Sequence, residues 1–156
     1  MGLIFTETLD ALLDGTKGQT RRVVKEGDEA HIVTSAGGTQ WVKPCADLHL
    51  QGTITAVRSK NGRIKWALGR TYAVQEGRGK PQVARLEITG IRCERLQSIN
   101  FDDVIAEGYR IFGKMDAVKA RHWYMGVWRN IHKKGEFAWE NNPLVWPLHV
   151  RMVRNG

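Results

Sequence analysis

The 156-residue sequence has only two cysteines, sixteen acidic residues against twenty-four basic ones, and no apolar run of membrane-spanning length. Cys45 and Cys93 stand far apart, with no CxxC pair and no histidine at ligand spacing. That argues against a disulfide framework or a zinc site and for a reducing cytoplasm. The five histidines (His31, His49, His122, His132, His149) are scattered, and His122 and His132 lack the i, i+4 spacing of a helical metal pair. No metal or cofactor is expected. No signal-peptide pattern and no membrane span are read. Met1-Gly2 with Thr6 fits a loose myristoylation pattern, but Leu3-Ile4-Phe5 reads better as a first buried strand. The Gly77-Arg78-Gly79-Lys80-Pro81 loop lacks the Gly-Lys-Ser/Thr ending of a nucleotide P-loop.

The shortage of acids leaves a net charge of +8, which favours an acidic partner, nucleic acid first. Hydrophobic residues at 42% and charged residues at 26% are ordinary globular values. The length suits one domain with its own core.

Leu9, Leu12 and Leu13 predict a short helix that stops near Gly15, and Gln19–Val24 alternates as a strand. Ala30–Thr34, 52–58, 63–68 and 71–75 read as further strands, with Asn61-Gly62 as a hairpin turn. Trp41–Leu50 is ambiguous because of Pro44. Residues 83–95 predict a long central strand, with Arg85, Glu87, Arg92 and Glu94 marking its solvent side imperfectly. Asn100 predicts the N-cap of a helix ending at Glu107-Gly108. Residues 115–131 predict a second helix whose apolar face holds Met115, Val118, Trp123, Val127, Trp128 and Ile131, its tryptophans being core rather than base-stacking platforms. The chain ends in a strand over 143–153, and Pro147 predicts an edge or a bulge there. Many short strands without a βαβ rhythm predict an α+β fold, a small, partly open β-barrel with flanking helices.

The segment Asp14–Arg22 concentrates a turn, Lys17, the Thr20 hydroxyl, Arg21 and Arg22. A lysine of lowered pKa beside a hydroxyl can accept the proton of an attacking nucleophile. The same residues also read as a solvated turn followed by a basic strand, and the two arginines suit anionic backbones. Arg78 and Lys80 form a cationic loop that reads equally as a nucleic-acid contact or a hairpin tip.

Three segments together resemble the ASCH domain, a branch of the PUA-like superfamily. Gly15, Lys17, Thr20 and Arg22 match its Gly-x-Lys-x-x-Thr-x-Arg signature. Val83–Leu96, leading into Ile99, Asp103, Ala106, Glu107 and Gly108, resembles the central strand and acidic helix of phage and bacterial members. Asn142–Val153 is similar to their closing strand. The stretches around 41–80 and 114–139 are then insertions in a single domain spanning 1–156, and they make this chain longer than the compact members. The resemblance implies a PUA-like pseudo-barrel that engages RNA or modified bases. Some small members are amidohydrolases that release the acyl group of N4-acylated cytidine through a Lys, a Thr and a Glu, which fall here on Lys17, Thr20 and Glu107. Other members are described as binding or cleaving RNA.

On the amidase reading Lys17 takes the Thr20 proton, Thr20 attacks the acyl carbonyl, and Glu107 orients Lys17 or passes a proton to the leaving amine. Backbone N–H groups at the Gly18 turn hold the oxyanion, and Arg21 and Arg22 contact the substrate. The binding-module reading instead spreads salt-sensitive affinity for RNA over Arg21, Arg22, Arg78 and Lys80. A nuclease would need an acid–base pair near a phosphate, and no histidine constellation favours one.

Overall fold

The computed structural model of the chain describes residues 3, 4 and 8–153. The last residue of the expected first strand, Phe5, and the expected helix start at Thr6-Glu7 lie outside the described residues. So does the Thr6 of the myristoylation pattern. The architecture is α+β: two curled sheets forming a partly open half-barrel, with three α-helices attached.

One sheet contains β1 (Leu3–Ile4), β2 (Gln19–Val23), β7 (Thr71–Gln75), β8 (Gln82–Ile91), β9 (Glu94–Arg95) and β10 (Leu144–Val153). Its order is β1-β7-β8-β10-β2, and β9 adds to β10. The other sheet contains β3 (Glu29–Val33), β4 (Thr39–Val42), β5 (Thr53–Arg58) and β6 (Ile64–Ala67), in the order β4-β3-β5-β6. Backbone bonds from Gly69 N to Ile88 O (2.9 Å) and from Ile88 N to Arg70 O (3.2 Å) hold the β6–β7 turn against β8. The Asn61-Gly62 turn forms as the dipeptide predicts, with Gly62 at φ +84°. Residues 41–80 thus supply β5, β6 and β7, and β7 lies between β1 and β8.

Alternation along the strands builds the main core. Ile32, Ile54, Val57, Val74, Leu86, Ile88, Trp146 and Leu148 turn inward and pack with Leu12 of α1 (Leu9–Leu13). Each fully buried aliphatic side chain contributes about 1.5–3 kcal/mol relative to exposure. Trp146 is completely buried, and its indole N–H donates to Asp28 Oδ2 at 3.1 Å, tying β10 to the turn before β3. A second apolar cluster joins α2 (Phe101–Ala106) and α3 (Ala117–Ile131) to β10 through Leu96, Ile99, Val104, Ala120, Tyr124, Trp128, Trp139 and Val145.

Three expectations are corrected. The closing strand is central, between β8 and β2, not at an edge. Pro147 is tolerated because its carbonyl accepts from Arg92 N (3.0 Å) at the break between β8 and β9. Its ring nitrogen faces the same side of the strand, where no ladder donor is required. The expected irregularity follows between His149 and Val150. Second, α3 packs through Ala120, Tyr124 and Trp128, while Met115, Val118 and Ile131 are exposed. The small Ala120 lets the helix approach α2, and that contact turns the i, i+4, i+8 row inward. Third, Glu94 lies on no solvent side; it is buried beside Arg21.

Among the described residues no helix is long and apolar enough to cross a membrane.

Candidate active site around Lys17 and Glu107

The site begins with backbone pairing, one bond local and two between distant segments. Lys17 N donates to Ala11 O (2.9 Å), Gly18 N to Ala106 O (2.8 Å), and Val150 N to Gly18 O (3.0 Å). The turn before β2 is therefore held between the ends of α1 and α2 and the edge of β10. α2 carries a complete capping box: Asn100 Oδ1 accepts from Asp103 N, and Asp103 Oδ2 accepts from Asn100 N. Its C-cap is Glu107, and the next residue, Gly108, has φ +114°. A Cβ at Gly108 would lie 2.8 Å from Ala11 Cβ, so glycine is needed for both backbone angle and close approach.

These constraints bring Lys17 and Glu107 together across 90 residues. Lys17 Nζ donates to Glu107 Oε2 at 2.7 Å and to the Glu107 carbonyl at 3.2 Å, and both side chains are buried. The other carboxylate oxygen, Oε1, accepts from Tyr124 Oη at 3.5 Å and lies 4.0 Å from Arg21 Nε. Burial pulls the Lys17 pKa below the ordinary lysine value. Glu107 opposes that shift and the Arg22 guanidinium adds to it. The Tyr124 phenol is pushed well above its usual range, by burial first and then by the Glu107 charge, so it remains a proton donor. Burial likewise lowers Arg22, against the pull of Glu107 and Tyr124.

Thr20 is buried on β2 opposite Leu148, three residues along from Lys17, and its hydroxyl makes no hydrogen bond to a described residue. The two residues that meet are thus Lys17 and Glu107, with Thr20 next on the adjoining strand. The Gly18 N–H donates to Ala106 O and so is not spare for an oxyanion, while the Gly18 carbonyl accepts from Val150 N. Arg21 is enclosed rather than presented: Nη2 donates to Glu94 Oε1 (2.5 Å) and Asp103 Oδ2 (3.1 Å). Arg22 sits half-buried, within electrostatic range of Glu107 and Tyr124. Arg78 and Lys80 occupy the exposed tip of the β7–β8 hairpin and share no hydrogen bond or ion pair with this site.

Around Arg21 stands a charged layer that sequence reasoning missed. Arg92 Nη2 donates to Asp103 Oδ1 (2.9 Å), and Gln19 Nε2 donates to the same oxygen (3.1 Å). Burial alone would raise Asp103, but the bonds from Gln19 and the Asn100 N–H, with the Arg92 and Arg21 charges, hold it below the ordinary carboxylate value. His149, paired with Gln19 across β10–β2, is lowered by burial and by Arg92. Asp103 was legible as a helix-start residue. Nothing local marked Glu94 and Arg92 as buried partners, since their roles come from Arg21 and Asp103, which are distant in sequence or on another element. Tyr124 was hidden by the choice of helix face.

Among the described residues no three His, Cys, Asp or Glu side chains are grouped to hold a metal ion. A cleft of about 660 Å³ opens at Gly108, directly after Glu107, and is walled by Tyr109, Phe112, Lys114, Lys119 and Trp123. Another, of about 450 Å³, lies near His49 and Thr89, and none of the predicted site residues lines either cleft. No family model, curated protein or solved structure matches this chain.

Proposed function

We propose that the protein is an amidohydrolase that removes the acyl group from N4-acylated cytidine, with Lys17, Thr20 and Glu107 as its working groups. The observation that carries the reading is the buried Lys17–Glu107 pair at 2.7 Å, held beside the Thr20 strand. Burial lowers the Lys17 pKa against the pull of Glu107, and a lowered amine pKa favours the role of general base. The substrate class comes from the resemblance to the ASCH amidohydrolases.

In this mechanism neutral Lys17 takes the Thr20 proton as Thr20 Oγ1 bonds to the acyl carbon, forming a tetrahedral oxyanion. Because the Gly18 N–H is used by Ala106, the oxyanion donors in this reading are Tyr124 Oη and the Arg22 guanidinium. Collapse breaks the C–N4 bond, and the Lys17 ammonium returns its proton to the departing cytidine amine. Water then attacks the Thr20 ester, giving its proton to Lys17, and the carboxylic acid leaves as Thr20 recovers its proton. Glu107 aims Lys17 through Oε2 and steadies its charged form in each half-reaction. Neither half-reaction calls for a metal or cofactor. The reducing cytoplasm is the proposed location, with a modified nucleoside or RNA as partner.

Incubation with N4-acetylcytidine, followed by chromatography, tests the reading. Free cytidine should appear with the wild type and fall at least 100-fold in rate with Lys17→Met or Thr20→Ala, each checked for fold by far-UV circular dichroism. Absence of product from folded wild type across acetyl, propionyl and benzoyl substrates would reject it. Activity that survives Thr20→Ala but not Lys17→Met would replace the acyl-enzyme by direct attack of water.

A further inference from the structure

We infer that the cleft after Glu107 and the outer face of α3 form a track for a single-stranded polynucleotide, which carries its target base to Lys17. Only that last step rests on the amidohydrolase reading. Between Arg110 and Lys134 stand seven Lys or Arg residues against one acid, Asp116, so this stretch holds net +6 of the chain's +8. α3 itself contains no Asp or Glu. Arg110 is engaged by Asp14, Arg129 by Glu140, and Arg121 by the carbonyls of Gln97 and Ile99. Lys114, Lys119, Lys133 and Lys134 are exposed and have no carboxylate partner among the described residues.

The apolar side of the cleft is aromatic. Tyr109 and Trp123 pack at 5.4 Å between centroids, and Phe112 stands 85% exposed at the rim, beside Met115 at 69%. Phe112 packs in neither apolar cluster, and the lysines around it have no carboxylate partner among the described residues. It is the combination that binds single strands: π-faces for unstacked bases and ammonium groups for the phosphates between them. A duplex keeps its bases stacked and offers nothing to Phe112. An acidic peptide would satisfy the lysines alone.

Fluorescence anisotropy with a labelled 12-nucleotide oligocytidine RNA, unacylated, tests the track without requiring turnover. Failure of the amidohydrolase reading therefore leaves this measurement decisive. The wild type should bind the single strand at 50 mM salt, and a duplex of the same sequence at least tenfold more weakly. Phe112→Ala should weaken binding by about 5- to 150-fold, the range of one base–aromatic stack. Lys114→Ala with Lys119→Ala should reduce the slope of log K against log salt by about 1.4, two single-strand phosphate contacts. These positions are exposed, and circular dichroism verifies that the variants fold. Equal affinity for duplex and single strand, no effect of Phe112→Ala, or no binding at 50 mM salt would each overturn the proposal.

Discussion

Removing either member of the Lys17–Glu107 pair should destabilise the protein, but not equally. Glu107 is surrounded by cations: Lys17 at 2.7 Å, Arg21 at 4.0 Å, and Arg22 within electrostatic range. Lys17→Met leaves the carboxylate with two guanidinium groups nearby, so the loss should be about 1–2 kcal/mol, near that of a charge-assisted hydrogen bond. Glu107→Gln leaves a buried lysine beside Arg21 and Arg22 without its carboxylate, and breaking a buried pair in that sense costs about 3–5 kcal/mol. The double variant should recover part of the loss, giving a coupling of about 1–3 kcal/mol between residues in contact. Urea unfolding at pH 7, followed by tryptophan fluorescence, supplies all four corners of the cycle. If Glu107→Gln costs no more than Lys17→Met, or the coupling is below about 0.5 kcal/mol, the electrostatic asymmetry of the pair is refuted.

Gly108→Ala places a Cβ 2.8 Å from Ala11 Cβ at φ +114°, and should cost about 1–3 kcal/mol in urea unfolding while lowering the proposed amidase activity. Cys93 is pushed up to about 12, by burial first and then by Cys45, whereas Cys45 is exposed. A thiol-reactive reporter at pH 8 should therefore count one fast thiol in the native protein and two after unfolding. Burial holds His132 and His149 below 6.5, with Arg22 and Arg92 respectively adding to the shift. The unfolded chain then takes up protons first, so stability should fall as pH drops from 6.5 through their folded values. Asp103, held below 3.8 by the net of burial against its hydrogen bonds and arginines, should extend that loss at lower pH. Urea midpoints from pH 8 down to about pH 2 check both windows, and His132→Gln with His149→Gln should flatten the upper one.

What was legible in the sequence was what is decided locally. The alternation of Gln19–Val24, the Asn61-Gly62 turn and the Asn100 cap each act within a few residues, and each has its counterpart in the fold. The half-barrel with flanking helices followed from the count and spacing of strands. The buried charges were not legible, because their partners lie 73 to 90 residues away. Glu94 shows the difficulty well. It shares a side with Arg92, 3.7 Å away, but that side is covered by Arg21 of β2 and Asp103 of α2 rather than by solvent, and no local pattern announces such a cover. The face of α3 failed for a related reason: hydrophobicity alone ranked Met115 and Val118 above Tyr124, while packing on α2 set the rotation of the helix.

Arg21 changes the meaning of the segment most. Read as a sequence it was a substrate contact, yet it lies between Glu94, Asp103 and Glu107 with no side-chain exposure. A planar guanidinium can address several carboxylates in fixed directions, which a lysine cannot. Here it joins β9, the first turn of α2 and the C-cap residue of that helix to one strand. Asp103 enters the same network twice, as the reciprocal half of the capping box and as the acceptor for Gln19, Arg21 and Arg92. The start of α2 is thereby fixed to β2 by charge, and its end by the Gly18–Ala106 backbone bond. A six-residue helix clamped at both ends delivers Glu107 to Lys17 with little freedom left. Burial of so many charges is weak evidence for stability, but it is strong geometry for holding one carboxylate against one amine. The arginine that looked like a binding residue is the one that holds the Lys17–Glu107 pair in place.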